Sequence, residues 1–168
     1  IGDDSIYGDA GNDIIQGNNG RDHLHGGDGN DVINGGSGQD RIWGGADDDR
    51  IAGGNSNDRL WGEAGDDTLN GGRNNDVLND GSGDDHLTGG AGVDRFVVHA
   101  GHDTNTDFQN NRDTIDVTEV LTTFAERKAY VDNHAEVVGG NTVLTDDAAN
   151  TIALVGVTNI TWLYDDIV

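Results

Sequence analysis

From residue 2 to residue 97 the chain repeats itself every nine residues, with no insertion or deletion. From Gly8 it reads GDAGNDIIQ, GNNGRDHLH, GGDGNDVIN, GGSGQDRIW, GGADDDRIA, GGNSNDRLW, GEAGDDTLN, GGRNNDVLN, DGSGDDHLT and GGAGVDRFV, and residues 2–7 are the tail of an earlier unit. Position six is Asp in all eleven units: Asp4, Asp13, Asp22, Asp31, Asp40, Asp49, Asp58, Asp67, Asp76, Asp85 and Asp94. Position eight is apolar in all eleven: Ile6, Ile15, Leu24, Ile33, Ile42, Ile51, Leu60, Leu69, Leu78, Leu87 and Phe96. A Gly-rich linker has no reason to hold an apolar residue at every ninth place. The pattern demands a stack of short units, each too small to bury its own apolar face.

The chemistry within the unit points to a cation. Gly at positions one, two and four permits the positive φ of a tight turn and lets carbonyls face inward. Asp at position six adds a hard, charged oxygen, and Ca2+ takes six to eight oxygens from carboxylates and carbonyls together. A short strand follows, with position eight inward and its two neighbours outward. Departures are mild. Position four becomes Asp47, Ser56 and Asn74, position one becomes Asp80, and position two becomes Asp9, Asn18 and Glu63. Asn and Asp tolerate left-handed backbone better than Ser. Carbonyl ligands survive any side chain, so weaker sites are expected at these units, not lost ones.

Composition narrows the function. The formal charge is -23, from 32 acidic residues against 9 basic ones, which argues against nucleic acid and anionic membrane and favours cations as partners. Within residues 1–97 there are 20 carboxylates against 6 Arg, so cation binding and folding are expected to be coupled. Only 33% of residues are hydrophobic, a level that also suits disorder; the period decides for order. There is no Cys, hence no disulfide, so an extracellular protein of this composition would need another staple, and metal is the obvious one. No Pro isomerisation slows folding. No apolar run approaches the roughly 18 residues of a membrane span, and no N-terminal signal peptide is expected. G-x-S-x-G, H-E-x-x-H and a Cys nucleophile are all absent, so no enzyme is expected within these residues. Ile1 falls inside a unit, and an upstream domain of the same polypeptide is expected before it.

The unit G-G-x-G-x-D-x-U-x resembles the RTX (repeats-in-toxin, haemolysin-type) calcium-binding family over residues 2–97. The resemblance implies an all-β fold: a right-handed parallel β-roll over residues 1–97, whose nonapeptides alternate between two sheets, eighteen residues to a coil. It also implies the ligands. Each Ca2+ would lie between alternate loops on one edge, held by the carbonyls of positions two and four and the Asp of the first loop. The carbonyls of positions one and three and the Asp of the second loop would complete it. One site would use Gly27, Gly29 and Asp31 with Gly44, Ala46 and Asp49; another, Gly36, Gly38 and Asp40 with Gly53, Asn55 and Asp58. By the same rule Gly11, Gly20, Gly26, Asp28, Gly35, Ser37, Gly45, Asp47, Gly54, Ser56, Gly62, Ala64 and Gly65 are candidate ligands. So are Gly71, Gly72, Arg73, Asn74, Asp80, Ser82, Gly89 and Ala91. At most five sites fall on one edge and four on the other, about 7–9 ions in all.

The outward positions are unequal. One sheet presents Tyr7, His25, Trp43, Trp61, Asn79 and Val97 at position nine, beside Ser5, His23, Arg41, Arg59, Val77 and Arg95 at position seven. Aromatic faces stack on sugars and Arg pairs with carboxylates. An acidic polysaccharide along Tyr7, Trp43, Trp61, Arg41 and Arg59 is therefore one reading. Cross-strand stabilisation of the sheet, or contact with the upstream domain, is the other. His23, His25, His99 and His102 read as exposed histidines, with no close carboxylate to complete a transition-metal set.

After Val97 the pattern dissolves. Gly101 and Asp103 keep register, but Asn105 takes the apolar place, and the roll is expected to end there. Residues 98–168 are expected to form a small β-rich cap with a short helix over 124–133, opened by the capping box Thr123 to Glu126. A hairpin around Gly139-Gly140-Asn141 and a strand Thr151–Val155 would follow. The stretch TDFQNNRDTIDV resembles the segment after the repeats of serralysin-type secreted proteins, with Asn111 in place of Gly, and Asp103, Asp107 and Asp113 are candidates for a terminal ion. Asp165-Asp166-Ile167-Val168 resembles the uncleaved C-terminal signal of type I secretion substrates, with an ordinary edge strand as the alternative. These resemblances imply a Gram-negative, extracellular module that folds on calcium after export by a type I secretion apparatus and supports a larger secreted protein. A calcium-dependent carbohydrate-binding module, like the R-modules of alginate epimerases that the repeats also resemble, is the alternative.

Overall fold

A computed structural model describes residues 2–99, 101–109 and 112–116, and the backbone of three later strands. Ten strands of six residues follow one another: β1 Ser5–Ala10, β2 Ile14–Asn19, β3 His23–Asp28, β4 Val32–Ser37, β5 Arg41–Ala46, β6 Arg50–Asn55, β7 Arg59–Ala64, β8 Thr68–Arg73, β9 Val77–Ser82 and β10 His86–Ala91. Each begins at position seven and runs through position three of the next unit. The strands are thus longer than the three residues expected, because positions two and three pair as well: Gly27 lies opposite Gly45 and Asp28 opposite Ala46.

Odd strands build a seven-stranded sheet and even strands belong to a nine-stranded one. Along the repeats every partner is eighteen residues away and parallel, as in His25 opposite Trp43 and Trp43 opposite Trp61. This is a parallel β-roll, as the period requires. Position eight fills the space between the sheets: Leu24, Ile42, Leu60, Leu69, Leu78, Leu87 and Phe96 are all 0% exposed. One such side chain per unit forms a single core column. Truncating any one of them removes contacts from the coils on both sides.

Position one is also buried, and here the structure corrects the turn argument. Every positive φ falls at position two or four, including the non-glycine residues Asp9, Asn18, Asp47, Ser56, Glu63 and Asn74. Position-one glycine is needed for space. A Cβ on Gly44 would lie 2.2 Å from Asp49 Oδ2 and 2.8 Å from the Gly62 carbonyl oxygen.

The ladders also run past Val97. Strand β11, Arg95–Val97, pairs with β13, Thr114–Asp116, while β12, His102–Asn105, pairs with β10. The coiling therefore continues one strand further in each sheet than the repeat pattern suggested. Asn105 is buried at the apolar place, its Oδ1 accepting the Asp107 N–H. Phe108 packs near Phe96 with ring centroids 6.2 Å apart, and Ile115 supplies the next core residue. The step from Arg95 to Thr114 is nineteen residues, one more than in the repeats, which hides Ile115 from a nine-residue reading.

The expected hairpin is present as β14, Ala135–Val138, antiparallel to β15, Asn141–Thr145. Strand β16, Thr151–Leu154, pairs with β15 and joins β12 in parallel, which attaches all three to the nine-stranded sheet. The expected helix over 124–133 and the C-terminal residues 165–168 lie outside the described residues. Among the described residues there is no helix.

Candidate metal centres

The position-six carboxylates form two ladders, one along each edge of the roll. In each, Oδ1 accepts the backbone N–H of the Asp one coil earlier: Asp22 from Asp4 at 2.8 Å, Asp40 from Asp22, Asp58 from Asp40, and Asp76 from Asp58. The opposite edge repeats this from Asp13 through Asp31, Asp49 and Asp67 to Asp85. These bonds fix the side chains but use one oxygen only. The other, Oδ2, is buried without a hydrogen-bond partner in Asp13, Asp22, Asp31, Asp40, Asp49, Asp58, Asp67, Asp76, Asp85 and Asp94. Only Asp4, on the first coil, is exposed.

A buried carboxylate oxygen with no donor is costly. The same atoms lie beside carbonyls of the next coil: the position of a Cβ on Gly26 is 2.1 Å from Asp31 Oδ2 and 2.5 Å from the Gly44 oxygen. A hard carboxylate oxygen and a peptide oxygen thus converge at each position-one glycine from Gly8 to Gly71, a donor set that fits Ca2+. Bound there, Ca2+ supplies two positive charges to an otherwise anionic seam.

Without such charge the carboxylates resist ionisation. Burial, partly offset by the backbone N–H each Asp accepts and reinforced by the carboxylates of neighbouring coils, pushes Asp58, Asp67 and Asp76 up to about 7. Burial likewise raises Asp49 and Asp85 to about 6. The folded metal-free chain therefore binds more protons than the unfolded chain, whose Asp groups titrate near 3.8. Its stability is greatest below that value and falls as pH rises through about 7. In EDTA the chain should hold more β structure at pH 4.5 than at pH 8, as read by circular dichroism, while apparent calcium affinity weakens on acidification because protons compete for the same oxygens.

Both ladders extend further than the eleven repeats. The Asp85 N–H donates to Asp103 Oδ1 at 3.1 Å and the Asp94 N–H to Asp113 Oδ1 at 3.0 Å. Asp107 instead accepts the N–H groups of Gly89 and Gly90. Asp103, Asp107 and Asp113 therefore do not form one terminal set; Asp103 joins Asp80 and Asp85. A second ladder escaped the sequence reading. At position five, Asp3, Asn12, Asp48, Asn57, Asp66, Asn75 and Asp84 each accept a backbone N–H from the next coil. The frequency of Asn and Asp at that place was its signal.

A family model, the RTX calcium-binding nonapeptide repeat, matches four times, over residues 1–24, 16–51, 43–78 and 70–104. The chain belongs to the RTX calcium-binding repeat family. In structure the RTX chain is similar to the extracellular lipase LipA from Serratia marcescens, at 20% identity and a TM-score of 0.56, over 99% of this chain and 38% of the lipase. It is also similar to the AlgE6R3 subunit of the mannuronan C5-epimerase from Azotobacter vinelandii, at 27% identity and a TM-score of 0.31, over 95% of this chain and 80% of that one. The RTX chain thus spans well under half of the lipase, and that likeness shows the fold. No curated relative matches it.

On the outer face of the RTX roll the position-nine rings lie against one another. Tyr7 and His25 stack at 4.9 Å, His25 and Trp43 at 4.3 Å, and Trp43 and Trp61 at 4.7 Å, with interplanar angles of 6°, 1° and 4°. Ring faces within the ladder are turned to each other, which favours the cross-strand role, worth about 1 kcal/mol per pair. Burial lowers the pKa of His25 within this stack. Of the four histidines expected to be exposed only His102 is; His23, His25 and His99 are partly buried, and His99 has Nδ1 2.8 Å from Asp80 Oδ1.

Proposed function

We propose that this chain is a calcium-triggered folding module of a larger secreted protein, itself without a catalytic role. The observation that carries the reading is the run of ten aspartates whose buried second oxygen has no protein partner. Once its carboxylates are ionised, such a seam closes around cations, so outside acid the chain stays open where calcium is scarce and coils where it is plentiful. We assign about 7–9 ions to the two edges, held by the position-six aspartates and the carbonyls of positions one to four, with residues 1–97 as the repeat roll and 98–168 as its cap, whose strands β12 and β13 prolong the two ladders. A chain that is unfolded inside the cell and folded outside suits type I secretion from a Gram-negative bacterium, with the finished roll supporting the protein's other domains. RTX family membership and the carboxylate seam support this. The test is the folding midpoint in a calcium titration. It should lie well above cytosolic levels, in the 0.1–1 mM range of extracellular modules, roughly; folding complete below micromolar calcium would overturn the export role.

A second reading, retention of an acidic polysaccharide, has one observation in its favour. Arg21, Arg41 and Arg59 line one cleft with Gln39, Asn57 and a single acidic residue, Asp40, beside the aromatic ladder, and among the described residues none of the three makes an ion pair. On so acidic a chain, unpaired guanidinium groups gathered in one place suit an anionic polymer. Arg41→Ala with Arg59→Ala should abolish retention on a uronate column in calcium while leaving the fold intact. Equal retention of variant and parent would remove the reading.

A further inference from the structure

Successive units turn at opposite edges of the roll, and this alternation sorts the surface charge. The edge that leads into the even strands carries, at positions two to five, a run of exposed acids: Asp28, Asp47, Asp48, Glu63, Asp66 and Asp84. It carries no Lys or Arg there. The edge that leads into the odd strands carries one acid at the same positions, Asp3, against Arg21 and Arg73. Arg41 and Arg59 open strands β5 and β7 beside that second edge, paired in register. Both line one cleft with Arg21, Gln39, Asn57 and Asp40. Asp40 belongs to the position-six ladder, so a calcium ion bound there leaves the cleft cationic.

One edge is therefore acidic and the other basic, and the two share a pitch. Asp48, Asp66 and Asp84 stand one coil apart, each fixed by the backbone N–H of the next coil. Arg41 and Arg59 are also one coil apart, about 4.8 Å. Rows of carboxylate and guanidinium with a common spacing can meet pair by pair, and Arg binds a carboxylate through two parallel hydrogen bonds. Two copies share that pitch by construction, whereas an unrelated polyanion matches it only by coincidence.

We propose that the arginine cleft binds the acidic edge of a second copy of this chain, setting rolls side by side with their axes parallel. The contact joins two different surfaces, so it extends into open rows instead of closing as a dimer. It goes beyond both functions proposed above and rests on the calcium reading for the folded roll. The formal charge of -23 opposes contact between copies, so rows form only once bound calcium has reduced it.

The test is sedimentation of the full chain in saturating calcium, with circular dichroism as the check on folding. At low salt the parent's mean mass should climb with concentration past that of a dimer. It should return to the monomer near 1 M salt, where charges are screened within about 3 Å. Arg21→Gln with Arg41→Gln and Arg59→Gln strips the cleft of its positive charge. Asp48→Asn with Asp66→Asn and Asp84→Asn discharges the acidic row and keeps its hydrogen bonds, as Asn12, Asn57 and Asn75 already do. Each variant alone should stay monomeric with the parent's β signal. Mixed, the two should form pairs and nothing larger, since each supplies the surface that the other lacks. A parent that folds in calcium yet stays monomeric, or a variant that associates as the parent does, would overturn the contact alone. A parent whose β signal ignores calcium would overturn the calcium reading, and the contact with it.

Discussion

Stripped of calcium by EDTA at neutral pH, the chain should lose most of its β signal and regain it when calcium is restored. Hydrophobic burial is thin here, one residue in nine, while the compact state gathers ten partnerless carboxylate oxygens into two seams. Each seam repeats its charge one coil apart, about 4.8 Å, too close for neighbouring carboxylates to stay ionised without a counter-ion. Every ion placed between coils cancels that repulsion for both, so neighbouring sites should fill together and the titration should be steep. At a calcium level a hundred times Kd, each site adds about 2.7 kcal/mol to the folded state. Seven such sites would contribute on the order of 19 kcal/mol, beyond the usual 5–15 kcal/mol stability of a domain. Small-angle scattering should show the metal-free chain near the roughly 43 Å radius of gyration of an unfolded chain this long. An unchanged far-ultraviolet spectrum in EDTA would contradict the whole energetic account.

Much of this was legible because one period fixes three things at once. Asp58 and Leu60 sit two apart in every copy, which sets a carboxylate at the bend and an apolar side chain on the strand that leaves it. The stacking partner eighteen residues on, as with Trp43 and Trp61, then follows from two sheets sharing one coil. Where the period fails, so does the reading. Asn105 conceals a core place behind a polar residue, and the extra residue between Arg95 and Thr114 shifts Ile115 and Asp113 out of register, though both keep their structural roles. Position one was read as a turn glycine because sequence reports which residue is small, not whether space or φ demands it. The Asp80–His99 contact spans nineteen residues across the end of the pattern, where no spacing rule applies. Ring orientation in the aromatic ladder was equally hidden: adjacency follows from register, but parallel stacking depends on side-chain rotamers.

Gly38→Ala and Gly11→Ala should separate backbone strain from coil spacing, since Gly38 faces the coil of Gly20 whereas Gly11 lies in the first coil of its edge among the described residues. Both are position-four glycines with similar backbone, φ +130° and +124°, so each variant should lose about 1–3 kcal/mol to strain. At Gly11 nothing lies within 4 Å of the new Cβ. At Gly38 the Cβ would fall on the carbonyl oxygen of Gly20, 1.6 Å away, and that oxygen is itself a candidate calcium ligand. Relief requires the two coils to part, yet they are tied by the Gly20 N–H, which donates to the Ser37 carbonyl at 3.0 Å. Gly38→Ala should therefore lose at least about 4 kcal/mol, the range reserved for gross packing failure, and need more calcium to fold. Gly11→Ala should fold at nearly the parent's calcium level with a modestly lower Tm. Thermal unfolding of the three proteins in saturating calcium decides it. Equal losses in the two variants would mean that the coils can move apart freely, and a roll able to do that could not hold its carboxylates and carbonyls close enough to share an ion.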